Sequence, residues 1–366
     1  MASETATEVD QTTSRKPVAR LRDALEGPNT LGNSRSFWAG FFVLLGILAV
    51  YPMFRSSFQV SNTAQLLLSA FLGLSLCIIW GYAGIFSFGQ VAFYGLAGYT
   101  FGVVGINLAS PMGTVAGLFV GVLLAGVFAF LLGYFMFYGG VSDVYVAIIT
   151  LAVALALNTF AAQTAGDEWS IGEAALGGFN GMTGIPNLSL GVSDTAIALS
   201  GVSFYYFIVI SLTITYLGLR VLVNGKIGYA LVAIRENEQR TELFGYDTRR
   251  IKLGVFTLGG VLAGIGGVTY ASWGNFVDPS VFGITFAALP IIWVAAGGRK
   301  WLSGAIIGTF VIEYVSQWLS SNASGFSQIV LGLLLLIVVL SLPEGFVPQI
   351  HRRIVRFMNR NTEELT

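Results

Sequence analysis

Long apolar runs alternate with short polar or glycine-rich breaks along this chain. At about 20 residues per helical crossing of a bilayer, they lie at 37–54, 60–79, 83–106, 113–137, 144–162, 204–223, 253–273, 282–298, 302–319 and 326–342. The pattern predicts an all-α, polytopic integral membrane protein of about ten transmembrane helices. It divides into a polar tail (1–36), a membrane domain (37–342) and a second polar tail (343–366). Two long interruptions fall inside the membrane domain, a loop at 163–203 and a charged island within 224–252. An even number of crossings places both termini on one side. Arg55 is then the only one of the 19 Lys and Arg on the outer side, so the termini and the island are expected to be cytoplasmic.

The island, Lys226–Lys252, is the feature around which the rest is arranged. Ala230–Leu243 has helix-forming composition, and Gly245 falls where a left-handed helix stop belongs. A second short element, Asp247–Lys252, runs straight into the next apolar run, so a push on the island would reach a membrane helix. A solvated linker with positive-inside charge is the plainer reading, although the mixed charges argue against it.

Three blocks carry a family resemblance. The residues Ile234-Arg-Glu-Asn-Glu238, Leu243-Phe-Gly-Tyr-Asp247 and Leu262-Ala-Gly-Ile-Gly-Gly267 resemble permeases of bacterial and archaeal importers for branched-chain amino acids, urea and short amides. The usual permease signature, Glu-Ala-Ala three residues before Gly, is replaced here by Gln239-Arg240-Thr241 before Gly245. The resemblance implies that this loop docks on a separate ATP-binding ABC subunit, with Arg235, Glu236, Glu238, Arg240, Glu242 and Gly245 in the coupling role. It also implies a second homologous permease subunit and an extracytoplasmic substrate-binding protein. ATP and Mg would then be bound by the partner ATPase, with no cofactor on this chain. The stretch Ile291–Arg299 is closer to the urea and amide branch than to the amino-acid branch.

The 163–203 loop contains Asp167, Glu168, Glu173 and Asp194 and no Lys or Arg. Its turn-rich Gly177–Pro186 resembles a family signature after the fifth span. It reads either as an exposed acidic loop or as a docking surface for the binding protein. A second block, Trp80–Tyr99, holds glycines at 81, 84, 89, 95 and 98 and predicts a bent or interrupted span. Ser87 and Gln90 place polar groups there at membrane depth, either for helix packing or for solute contact. Pro279 and Pro290 mark another irregular span. Asn158, Gln317 and above all Glu313 are polar residues inside apolar runs, and each needs a partner, a water-filled path or, for Glu313, a proton. Ser87, Gln90, Asn158 and Glu313 are the pathway candidates.

Composition narrows the functions further. The 366 residues are 55% hydrophobic and 10% charged, with mean hydropathy +0.75, far from the roughly 25% charged residues of soluble domains. Lipid is therefore an expected partner. A formal net charge of zero gives no basic footprint for nucleic acid. Cys77 and His351 are each the only one of their kind, which leaves no disulfide framework or Cys/His metal set. There is no Gly-x-x-x-x-Gly-Lys-Ser/Thr phosphate loop, and no nucleophile and base stand at useful spacing. The chain is expected to be a transport subunit in the cell membrane, not an enzyme. An ion-coupled secondary transporter of a small polar solute, with Glu313 as carrier, is the alternative.

Overall fold

The computed structural model describes residues 25–191 and 196–322, together with 332–333, 336, 345–349 and 353. Most of the run at 326–342 and most of both polar tails lie outside the described residues. Eight helices are long and apolar enough to cross a membrane. They are α1 (Arg35–Phe54), α2 (Ser57–Leu76, prolonged by a π-helical turn, Cys77–Tyr82), α3 (Gln90–Leu108), α4 (Pro111–Tyr138), α5 (Asp143–Gln163), α6 (Gly201–Asn224), α9 (Thr248–Gly274) and α11 (Leu302–Asn322). Between α6 and α9 lie two short helices, α7 (Lys226–Glu236) and α8 (Glu238–Leu243). The apolar run at 282–298 forms α10 (Ile284–Gly297), whose 14 residues reach about 21 Å, short of a bilayer's hydrocarbon core of about 30 Å.

Local chemistry explains where the helices begin. Ser34, Ser56 and Ser110 each accept a hydrogen bond from the backbone N–H three residues on. Ser56 completes a capping box with Gln59, and Pro111 follows Ser110 at the first helical position. Asp247 caps α9 in the same way, through Arg250 N at 3.1 Å. Residues 247–252 are therefore the start of α9, with no separate element between island and membrane helix. The predicted helix 230–243 also divides. Asn237 leaves helical geometry (φ −165°, ψ 102°), and its side chain accepts from Arg240 N at 2.8 Å, ending α7 and starting α8.

Small residues bring α3, α4 and α9 together into a tight central packing. At Gly267 on α9 a Cβ would overlap the Tyr94 carbonyl oxygen of α3, so the two backbones touch. Next to these three runs α2, the most buried of the spans, flanked by α6 and α11. In contrast, α1 buries no residue and exposes Phe42, Ile47, Met53 and Phe54. That is the surface expected of a helix that faces lipid.

The span expected at 83–106 does not begin at residue 83. Residues Phe86–Gly89 are non-helical, Gly84 sits at φ +80°, and α3 starts at Gln90. At the far end of the bundle from the island, the 163–203 loop is folded back on the helices. Its short strands form two hairpins, Ser170–Ile171 with Ala174–Ala175 and Ser189–Leu190 with Ile197–Ala198. A third pairing joins Met182–Thr183 to Phe276–Val277, just after α9. Met182, Ile185 and Leu188 are buried while Glu168 and Glu173 are exposed. The loop is thus a cap with an apolar underside and an acidic rim.

Candidate functional site

The residues expected to couple this chain to a partner lie together at the island end. Arg235, in the last turn of α7, is aimed inward. One guanidinium nitrogen donates to the Gly81 carbonyl oxygen at the end of the π-turn, and another lies 2.9 Å from Glu236 Oε1. Glu236 itself is exposed, with Lys300 at 4.0 Å. The Arg235 hydrogen bond, then the charges of Arg235 and Lys300, hold its carboxyl below the usual carboxylate range. Glu238 forms an ion pair with Lys252, which is also 3.6 Å from Asp143 at the start of α5. Glu242 accepts a hydrogen bond from Thr248 at 2.7 Å. Arg240 is exposed, and Gly245 has the left-handed φ (+86°) expected of a helix stop.

The charges therefore serve mainly to brace the loop against the bundle, and what the loop presents to solvent is apolar. Leu243, Phe244 and Tyr246 are 89%, 76% and 52% exposed. Three large apolar side chains on a rigid, charged support form a surface suited to a complementary protein pocket. The sequence reading weighed the charges and passed over this tip, although Leu243-Phe-Gly-Tyr246 stands out as an apolar word in a polar stretch. A polar cavity of about 400 Å³ opens beside it, lined by Gly84, Arg235, Asn237 and Lys252 among others.

Above the loop, the structure brings Ser87 and Gln90 together. Gln90 Nε2 donates to Ser87 Oγ at 3.3 Å, and Gln90 Oε1 accepts from Ser75 Oγ of α2 at 2.6 Å. Ser75 also lies 2.7 Å from the Gly259 carbonyl of α9. Phe88 N donates to Thr150 Oγ1 of α5 at 3.2 Å. Ser75, Ser87, Gln90 and Thr150 are all buried, so this one polar cluster ties four membrane helices to the break before α3. Ser75 and Thr150 were not singled out from sequence, because a serine or threonine inside an apolar run most often bonds its own helix.

The other pathway candidates lie elsewhere. Asn158 Nδ2 donates to the Pro279 carbonyl at 2.8 Å, holding the 3₁₀ turn Pro279–Phe282 that leads into α10. Gln317 donates to Gln65 Oε1 at 3.2 Å. Glu313 is half-buried on α11, within electrostatic range of Tyr94 and Tyr270, whose ring centroids are 5.6 Å apart. No hydrogen bond or ion pair joins it to a described residue.

One strongly placed residue was missed altogether. Arg220 lies within the apolar run 204–223, fully buried on α6. Its guanidinium donates to the carbonyls of Leu25 (2.6 Å), Leu31 (3.2 Å) and Gly32 (2.8 Å), and lies 4.7 Å from the Phe37 ring centroid. A lone arginine in an apolar run was the available signal. Its partners show that residues 25–34, taken from sequence as part of a loose tail, form an ordered strap. The strap also reaches the π-turn, where Tyr82 OH donates to Asn29 O at 2.9 Å.

Comparison with known proteins places this architecture. The family model for the branched-chain amino acid transport system, permease component, matches residues 60–339. The chain belongs to this permease family. It is 27% identical over 329 residues to the high-affinity branched-chain amino acid transport system permease protein LivM of Escherichia coli, covering 84% of this chain and 74% of that one. With the probable branched-chain amino acid transport permease protein LivM of Methanocaldococcus jannaschii it shares 22% identity over 321 residues, 76% of this chain and 90% of the relative. A shorter match, 29% over 121 residues, is to the probable ABC transporter permease protein YphD of Escherichia coli and covers 31% and 36% of the two chains. No solved structure matches. The chain is therefore a multi-pass inner-membrane permease subunit of an ABC transport system, works with other subunits, and is not an enzyme.

Proposed function

We propose that this chain is a membrane-spanning subunit of an ATP-driven importer for branched aliphatic amino acids, and that residues 226–252 are where a separate ATPase docks and drives it. The apolar tip Leu243, Phe244 and Tyr246, held out from a loop braced by Glu238–Lys252 and Glu242–Thr248, is the observation that carries the docking role. The names of the relatives support the amino-acid cargo over urea or short amides. In this reading the island end is cytoplasmic, and the capped end, with Glu168 and Glu173 on its rim, receives the substrate-binding protein. A second permease chain completes the pathway. ATP closes the ATPase pair, the pair pushes the loop, and the bundle exchanges inward-facing for outward-facing packing.

Co-purification tests the docking surface. Leu243→Ser with Phe244→Ser is expected to release the ATPase from the detergent-solubilised complex while the permease itself still folds; retention of the ATPase would defeat the assignment. Reversing Glu238 and Glu242 to lysine removes two braces instead. Hydrolysis is then expected to continue with uptake largely lost.

A further inference from the structure

Four elements of the island end converge on the π-helical turn Cys77–Tyr82. In a regular α-helix the Ile85 N–H would bond the Gly81 carbonyl four residues back. Here Ile85 N donates instead to Ile79 O at 3.1 Å, which leaves the Gly81 carbonyl open, and Arg235 of α7 fills it. From another side comes the turn between α10 and α11. Cys77 Sγ lies 3.3 Å from the Arg299 carbonyl, the Arg299 guanidinium lies 5.3 Å from the Trp80 ring centroid, and a Cβ on Gly81 would overlap the Arg299 carbonyl. The strap grips the turn through Tyr82 and Asn29. Just beyond it, Phe88, Ser87 and Gln90 carry the bonds to α5, α2 and, through Ser75, α9.

We propose that this π-turn receives the stroke of the coupling loop, and that Arg235 is the positioning residue that passes the stroke from α7 to the Gly81 carbonyl. The inference rests on the coupling role given above to residues 226–252. A π-turn holds one residue more than an α-turn and is a common site of hinging, so it can tighten or relax without unwinding the buried part of α2. Displacing α7 drags the Gly81 carbonyl with the guanidinium. The break at 83–89 follows, and the bonds of Ser87, Gln90 and Thr150 are exchanged. In this way one contact at the surface reaches four membrane helices. A plain capping role for Arg235 would satisfy the same carbonyl but would leave the break indifferent to nucleotide.

The test uses the permease assembled with its ATPase and binding protein in lipid vesicles. Arg235→Gln is expected to lower the number of solute molecules moved per ATP at least tenfold, with the ATPase still present in the complex. Arg235→Lys, which keeps one donor for the carbonyl, lowers it about threefold, and carries the comparison should the glutamine variant fail to assemble. Amide exchange at Ile85, Phe88 and Gly89 is expected to respond to ATP in the wild type and the lysine variant, and to stop responding in Arg235→Gln. An unchanged transport ratio, or a nucleotide response that persists in Arg235→Gln, overturns the proposal. Loss of the ATPase from that complex overturns it too, since Arg235 would then belong to the docking surface. The docking assignment fails separately, by retention of the ATPase in the Leu243/Phe244 variant.

Discussion

The bundle is broken at each end, and the two breaks are built from different forces. At the island end, residues 77–89 are held by polar bonds: Arg235 to Gly81, Thr150 to Phe88, and Gln90 between Ser75 and Ser87. At the capped end, residues 275–283 are held mostly by shape. The Phe282 ring fills the notch left by Gly95 and stacks on Tyr99 at 5.9 Å, and strand pairing with Met182–Thr183 ties the segment to the cap. Hydrogen bonds can be exchanged for others of similar energy, whereas a ring in a close-fitting notch has no equivalent second position. The wired break is the part suited to switching, and the packed break is the part suited to holding α10 in place.

This contrast makes its largest prediction at Phe282. Phe282→Ala empties the Gly95 notch and is expected to cost about 3–5 kcal/mol, read as a clear fall in melting temperature; a variant as stable as the wild type would show that the notch is not the anchor. Next comes Arg220→Met, which keeps the side-chain length but orphans the carbonyls of Leu25, Leu31 and Gly32. At about 1–3 kcal/mol for each buried carbonyl left unpaired, and with water recovering part of the loss, about 3 kcal/mol is expected. Limited proteolysis should then cut within residues 25–34, which resist it in the parent. Gln90→Met exchanges the amide for an apolar chain of similar length, at about 1–3 kcal/mol. If the wired break switches, uptake falls by more than that loss of stability explains; a proportionate fall would erase the distinction between the two breaks.

The smallest effect is that of pH at Glu236. Its carboxyl is held below the ordinary range by Arg235 and Lys300, so its contribution is fully present above the unfolded value of about 4.3 and is lost as pH falls through the lower folded value. Melting temperature should therefore differ little between wild type and Glu236→Gln from pH 6 to 8, and any difference should close on acidification below about pH 4. Salt should shrink it further, because the group is fully exposed. A difference that grew with acid would reverse the sign and remove the pairing.

Much of this architecture is legible in the residues. The apolar runs predict the spans because hydrocarbon leaves the backbone few ways to satisfy itself, and Gly245 marks its helix stop because a left-handed φ favours glycine. The split at Asn237 is visible only once a capping side chain is weighed against helical continuity. Composition likewise suggested one continuous span from 83, because glycine-rich sequence looks alike whether it packs a helix or interrupts one. The partners of Arg220, Lys252 and Ser75 lie far along the chain, at Leu25, Asp143 and Gly259. No local pattern encodes such meetings. The apolar tip was overlooked because the surrounding charges drew the functional reading, whereas folding turned most of them inward as struts.

The π-turn has a consequence for chain length. It accommodates one residue beyond regular α-helical winding, and each residue of an α-helix advances the chain by about 1.5 Å and turns it by about 100°. Deleting a single amino acid between Cys77 and Tyr82 would restore ordinary winding at the cost of swinging everything after it out of phase by that angle. Ser87 would leave its neighbours with no atom of its own altered, so this is a place where a lost codon is far harsher than a changed one.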